Sequence, residues 1–349
     1  MKKIDFIVGA RPNFMKVSAI IKRLDKTKIK ARLIHTGQHY DENMSKAFFD
    51  QLNIPKPDIN FSIKAKNSID QISKIISKYA DYLNSTYIPK VVVVVGDVDS
   101  TIACSIVAKK LNISLCHVEA GLRSGDLEMP EEINRIVTDS ISDYMFVTSK
   151  EAKENLKIEG KTKNIFFVGN TMIDTLISNL NDIKKPKDFS LKDYLLLTMH
   201  RPSNVDDESK LMKILMEISE NSKLPMVFPV HPRTAKNLKK RKLKNIIFLD
   251  PLPYLEFIYL LSNCRGVITD SGGITEEATF LKVPCITLRD STERPETISI
   301  GTNVLVSNNL KKIISMIKKI ENNQWKKSKI PPKWDGKTGS RIANILEKI

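Results

Sequence analysis

Five consecutive valines, Val91 to Val95, limit what this chain can fold into more than any other stretch. Such a run has no polar alternation and no wet face, and β-branched side chains lose rotamer freedom in a helix. It therefore reads as a strand covered on both sides, as in a parallel sheet. Ile4 to Val8 and Tyr144 to Val147 repeat the pattern, each followed by turn residues. Helical periods lie between them, at Val17 to Leu24, Ile69 to Leu83 and Thr101 to Leu111, with Lys, Asp or Ser opposite the apolar stripe. Alternating strands and helices predict an α/β fold with a doubly wound parallel sheet.

The chain has 349 residues, more than twice the roughly 150-residue scale of one domain. After Ile173 the pattern thins into residues 181–192, NDIKKPKDFSLK, charged and poor in apolar groups, as a linker should be. A second series then runs through Tyr194 to Met199, Met226 to Val230, Ile246 to Leu249, Gly266 to Thr269 and Pro284 to Leu288. The expected domains are 1–180 and 193–336. The tail SRIANILEKI predicts a last amphipathic helix that needs a surface to dock on. Two Rossmann-like domains place ligands beyond the carboxyl ends of their strands, so the cleft between them is the expected site.

Several classes lose support. The net charge of +16 comes mostly from Lys scattered between apolar positions, as on solvated helix faces, and argues against nucleic acid as a partner. The start MKKIDFIVGARP carries an apolar run too short for a signal peptide or membrane span, and no later segment is long enough. Cys104, Cys116, Cys264 and Cys285 sit in apolar runs without CxxC spacing, reading as core residues in a reducing cytoplasm. There is no GxxxxGK[ST], no GxGxxG after the first strand and no HExxH, so no cofactor and no metal is expected.

The strand ends carry the chemistry. GARPNFMK offers Gly9 for a tight turn and Arg11 and Lys16 around a helix start, which suits an anion or is a plain turn with Pro12 opening the helix. Gly96-Asp97-Val98-Asp99-Ser100 ends the valine strand. Asp99 or Ser100 reads as a helix cap, whereas Asp97, set before the cap, reads as functional. Glu119 ends the next strand, and Glu131 and Glu132 open a later helix, where either can simply complement the helix dipole. Asp97, Glu119 and Glu131 together can divide proton abstraction from protonation at a carbon acid. His200 and His231 stand at strand ends, while His35 and His39 read as structural. Ser271-Gly272-Gly273 before a helix reads as a phosphate cradle, Glu277 as a partner for ribose hydroxyls, and the loop from Arg289 to Glu296 as a source of guanidinium for a diphosphate.

GARPNFMK, TGQHYDENM, GDVDST, HVEAGLRSGD, MPEEINR, VGNTMID, HRPSN, DSGGITEEA and RDSTERPE closely resemble the non-hydrolysing UDP-N-acetylglucosamine 2-epimerase family, over residues 3 to about 306. The resemblance implies a glycosyltransferase-B architecture with the last helix, about 337–349, packed back on the first domain, and a homodimer. It implies that UDP-N-acetylglucosamine and UDP-N-acetylmannosamine are interconverted by elimination and re-addition of UDP through 2-acetamidoglucal. It assigns Asp97, Glu119 and Glu131 to proton transfer and His200 to the diphosphate or leaving oxygen. Arg11, Lys16, Arg135 and Arg294 fall to the phosphates, Ser271, Gly272, Gly273 and Glu277 to diphosphate and ribose, and Phe257 to the uracil.

Two segments depart from the family pattern. Asp250-Pro251-Leu252-Pro253 stands where bacterial members often carry a DPQ-like segment, and Thr36-Gly37-Gln38-His39-Tyr40-Asp41 differs from the TAQH-like segment with which some bind an activating UDP-sugar. TGQHYDENM and MPEEINR also resemble the branch acting on UDP-2,3-diacetamido-2,3-dideoxy-glucuronate, leaving the substituents at C3 and C5 open. A retaining glycosyltransferase on the same scaffold is the rival enzyme, but glycosyl transfer needs no base for C2. A nucleotide-sugar binder without catalysis is the rival of another class, and the full set of proton-transfer candidates opposes it.

Overall fold

The structure is a computed structural model that describes residues 1–37, 49, 51–238 and 243–349. The chain forms two compact units, Met1–Ser178 with Pro332–Ile349, and Asn179–Pro331. Residues 181–192 fall inside the second unit. Most of TGQHYDENM, including His39, lies outside the described residues. Among the described residues no helix is long and apolar enough to cross a membrane.

In the first unit β1 (Lys2–Val8), β2 (Ile29–His35), β3 (Ile59–Asn60), β4 (Val91–Val95), β5 (Ser114–Val118), β6 (Tyr144–Val147) and β7 (Ile165–Phe167) form one parallel sheet. Its order is β3-β2-β1-β4-β5-β6-β7. The valine strand lies at its centre with every residue buried. Val92 and Val94 pack with Ile75, Tyr79 and Leu83 of the helix Ser68–Ser85 and Ala103, Cys104 and Val107 of the helix Asp99–Lys110. Each such side chain contributes about 1.5–3 kcal/mol for larger apolar groups. Asn67 starts the first of these helices by accepting the Asp70 N–H at 2.9 Å.

β2, IKARLIH, did not stand out as a strand, and the reason is Arg32. In the β1–β2 register Arg32 lies beside Asp5, and the two form a bidentate pair at 2.8 and 2.7 Å with both residues buried. Tyr79 donates its hydroxyl to the same carboxylate at 2.9 Å, and Arg32 stacks 3.9 Å from the Tyr87 ring. Burial pushes the Asp5 carboxyl above its usual range, although Arg32 and Tyr79 pull it down.

The tail forms the helix Thr338–Lys348, which packs on the helix Arg11–Ile21 of the same unit. Gly339 makes that contact possible. A Cβ there would stand 2.0 Å from the Ala19 carbonyl oxygen, and its N–H donates to Asp174 at 2.7 Å. Gly339→Ala is expected to cost about 1–3 kcal/mol, because backbone must move to admit the methyl. Urea unfolding followed through buried Trp334, close to the helix, measures this; an unchanged midpoint would show that the helix shifts freely.

In the second unit β8 (Leu195–Thr198), β9 (Met226–Pro229), β10 (Ile246–Leu249), β11 (Gly266–Thr269), β12 (Cys285–Thr287) and β13 (Asn303–Leu305) form a parallel sheet ordered β10-β9-β8-β11-β12-β13. Strand order therefore reverses between β1 and β4 in one unit and between β8 and β11 in the other. At such switch points neighbouring connections leave on opposite faces and open a crevice at the carboxyl ends.

Candidate functional site

Three turns meet at the first switch point. After β1, the carboxamide oxygen of Asn13 accepts the N–H groups of Gly9 and Ala10 at 3.2 and 2.9 Å, and its Nδ2 donates to the carbonyl of Val95 at 3.2 Å. One side chain thus shapes the turn and ties it to the end of β4. The helix begins at Arg11, six residues before the periodic apolar pattern, because Pro12 and Asn13 form its first turn. Arg11 is exposed. Lys16 reaches back along the helix to Glu119, Nζ to Oε2 at 2.6 Å, with only 12% and 3% of the side chains accessible.

Gly96 ends β4 with φ +70°. A Cβ there would lie 3.5 Å from both Asn13 Nδ2 and Lys16 Nζ and 3.8 Å from Glu119 Oε2, so the turn forms a wall of the ion pair. Asp97 follows, about a third exposed, and pairs with buried Arg135. The Asp97 carbonyl accepts Asn134 Nδ2 at 2.8 Å. The expectation that Asp99 or Ser100 caps the next helix is corrected: Val98 occupies the cap and offers no side-chain bond. Asp99 instead accepts the Ser68 hydroxyl at 3.0 Å, and Ser100 Oγ lies 2.6 Å from Thr36 Oγ1. Tertiary partners compete successfully with the cap.

Glu119 has φ +72°, a left-handed backbone that costs a glutamate about 1–3 kcal/mol. Its N–H donates to the carbonyl of Phe146 at 3.0 Å. The two glutamates opening the helix Pro130–Ile141 separate cleanly. Glu131 is exposed. Glu132 is buried, accepts the N–H groups of Ser124 and Gly125 at 3.0 and 2.9 Å, and binds Arg135 at 2.6 Å. Burial opposes ionisation of Glu132, but those donors and Arg135 hold its carboxyl below the usual range. Glu132 thereby orients Arg135 toward Asp97.

At the second switch point Asp270, fully buried, accepts the N–H groups of His200 at 3.0 Å and Arg201 at 2.9 Å, and Asn204 Nδ2 at 3.1 Å. His200 Nδ1 lies 3.2 Å from the same carboxylate, and the His200 ring stands 5.6 Å from that of His231. Ser271 precedes the helix Gly272–Phe280, and a Cβ at Gly273 would meet open space. One at Gly272 would meet Glu293 at 2.8 Å. Such a turn presents N–H groups to an anion. Arg294, expected near phosphate, is buried with its Nε 2.8 Å from Glu276. Arg289 holds Glu293 at 2.7 Å and, against the effect of burial, lowers that carboxyl to about 2. Among the described residues no cluster of three or more His, Cys, Asp or Glu side chains is placed to hold a metal.

Glu277 is buried one turn inside this helix and accepts the Tyr254 hydroxyl at 2.8 Å; Phe257 is half-buried one turn beyond Tyr254. Burial raises the Glu277 carboxyl to about 8. Between about 4.5, its ordinary value, and 8 the folded chain keeps a proton that the unfolded chain releases, so this residue costs more stability as pH rises through that window. Glu277→Gln is expected to remove the cost: its melting temperature gains on the native protein between pH 5 and pH 8. Melting curves that stay parallel across that range would show an ionised Glu277.

These two switch points sit in a chain with clear relatives. The family model for UDP-N-acetylglucosamine 2-epimerase matches residues 22–347. A UDP-N-acetylglucosamine 2-epimerase from Methanocaldococcus jannaschii is 44% identical over 99% of this chain and 98% of its own length. The chain belongs to the UDP-N-acetylglucosamine 2-epimerase family. It is an isomerase of α/β architecture. A crystal structure of the M. jannaschii epimerase in complex with UDP-GlcNAc and UDP matches 99% of this chain and 100% of that one, with a TM-score of 0.89 and 43% identity. A UDP-2,3-diacetamido-2,3-dideoxy-D-glucuronate 2-epimerase from Pseudomonas aeruginosa is 40% identical over 87% of this chain and 88% of its own length.

In this epimerase the partners of Asn13, His117, Asp139, Asn204, Tyr254 and Asp270 emerge only from the structure. Asp270, directly after a strand and before two glycines, carried a positional signal; the others needed partners far along the chain.

Proposed function

We propose that this enzyme interconverts UDP-N-acetylglucosamine and UDP-N-acetylmannosamine by eliminating and re-adding UDP. The observation that carries this reading is the buried Lys16–Glu119 pair against the Gly96–Asp97 turn, beside the Asp97–Arg135 pair. It supplies carboxylates at a switch point, each held by a cation. A carboxylate removes the proton from C2, the C1–O bond breaks with its electrons going to UDP, and a C1=C2 double bond forms. In the return step a carboxyl group protonates C2 on the opposite face and UDP rebinds at C1.

Asp97, Glu119 and Glu131 share these proton transfers. Arg11, Lys16, Arg135 and Arg294 supply positive charge for the departing diphosphate, with Lys16 and Arg135 also orienting Glu119 and Asp97. His200 serves the diphosphate or leaving oxygen, Ser271, Gly272 and Gly273 the diphosphate, Glu277 the ribose and Phe257 the uracil. The four cysteines are free thiols, which supports a reducing compartment, the cytoplasm. The enzyme is a homodimer in this reading, as light scattering would check.

Proton NMR in deuterium oxide tests the reaction. UDP-N-acetylglucosamine is expected to yield the manno epimer with deuterium at C2. Exchange only with UDP-2,3-diacetamido-2,3-dideoxy-glucuronate would move the substrate to that of the P. aeruginosa relative, and exchange with neither would overturn the epimerase reading.

A further inference from the structure

Beneath the two carboxylate-bearing turns of the first unit lies an imidazole with no solvent access. His117 Nδ1 is 2.7 Å from Asp139 Oδ1, and Nε2 is 2.9 Å from the carbonyl oxygen of Gly96. Both partners offer oxygen. A carbonyl can only accept, and the other Asp139 oxygen already takes the Gly121 N–H at 2.9 Å and Arg123 at 2.8 Å, as a carboxylate does. With Asp139 held as a carboxylate, both ring nitrogens carry hydrogen, which makes the ring a buried cation between the carboxylate and the carbonyl.

We infer that His117 is a positioning residue for the proton transfer: a doubly protonated imidazole that holds the Gly96–Asp97 turn and the Glu119 turn in register with each other. The inference rests on the epimerase reading of this site. His117 precedes Glu119 by two residues, and Gly96 precedes Asp97 by one, so one ring spans both catalytic turns. Asp139 ties the far side, since the Gly121 N–H it accepts closes the left-handed turn at Glu119. Arg123 completes the cluster and binds Glu159 at 2.6 Å. The Asp139 carboxyl is consistent with this arrangement: burial pushes it up, yet the charges of His117 and Arg123 leave it below the usual range. The ring links the strand end that carries Asp97 to the strand end that carries Glu119.

His117→Asn and His117→Gln separate the two bonds. The shorter amide reaches the place of Nδ1 and keeps Asp139; the longer reaches the place of Nε2 and keeps the Gly96 carbonyl. With an active native enzyme, His117→Asn is expected to lower kcat about 10²-fold with KM unchanged, as small misplacements of reacting groups do, and His117→Gln to recover about tenfold of that loss. Nitrogen-detected NMR of the native enzyme is expected to show hydrogen on both ring nitrogens of His117. Equal kcat losses in the two variants, losses that track a fall in melting temperature, or a singly protonated ring would each overturn the inference. A native enzyme without C2 exchange on either UDP-sugar would instead defeat the epimerase reading beneath it.

Discussion

Glu119→Gln is expected to lower kcat for epimerisation by about 10²–10⁴-fold while UDP affinity stays unchanged, the usual size of a lost acid–base group. Gln has the same length and can occupy the same strained turn, so the variant removes a charge and a proton site while keeping the shape. Lys16→Met should lose turnover too, because Glu119 is then buried without its cation 2.6 Å away. The two losses are not expected to add: once Glu119 is neutral, Lys16 has less to hold, and the double variant should resemble the worse single one. The measurement is kcat and KM for all three variants, with UDP binding by calorimetry. Unchanged turnover in Glu119→Gln would remove this residue from the chemistry, and additive losses would mean that Lys16 and Glu119 do not act as a unit.

A second large effect is expected far from the chemistry. Asp5→Ala strands the Arg32 guanidinium inside the first unit, and breaking a buried pair from one side costs about 3–5 kcal/mol. The chain's two tryptophans allow the loss to be located, since Trp334 belongs to the first unit and Trp325 to the second. Urea unfolding of Asp5→Ala should move the transition seen by Trp334, recorded in a Trp325→Phe background, and leave that seen by Trp325. The double variant Asp5→Leu with Arg32→Met should regain most of the loss, because apolar replacement of both members is often neutral or stabilising. A double variant as unstable as the single one would place the energy in the contacts of Arg32 with Tyr82, Thr86 and Tyr87.

Where a segment carries its own signal, the reading of the chain and the structure agree closely. β4, β6, β10 and β11 have the expected ends, since each is a short, mainly apolar run closed by turn residues. β2 broke that rule because its arginine is matched by an aspartate on the neighbouring strand, 27 residues away in sequence. The helix after β1 starts at Arg11, next to the Pro12 that marks its opening in the sequence, and the side chain of Asn13 holds its first turn. In the candidate site, the strand-end addresses of Asp97, Glu119 and His200 were legible, but their partners were not. Lys16 and Glu119 are 103 residues apart, and His200 and Asp270 meet across 70.

The amino-acid sequence alone determined the alternation of strands and helices, the two-series organisation and the strand ends that bear Asp97, Glu119 and His200, because periodicity and turn propensity are local properties of the chain. Only the tertiary structure decided which ion pairs form, that Glu132 is a clamp and Glu131 exposed, that Glu277 is buried beneath Tyr254, and that His117 bridges two turns. Those outcomes depend on distances between residues remote in sequence and on how far each charge is withdrawn from water, and neither quantity exists before the sheets assemble.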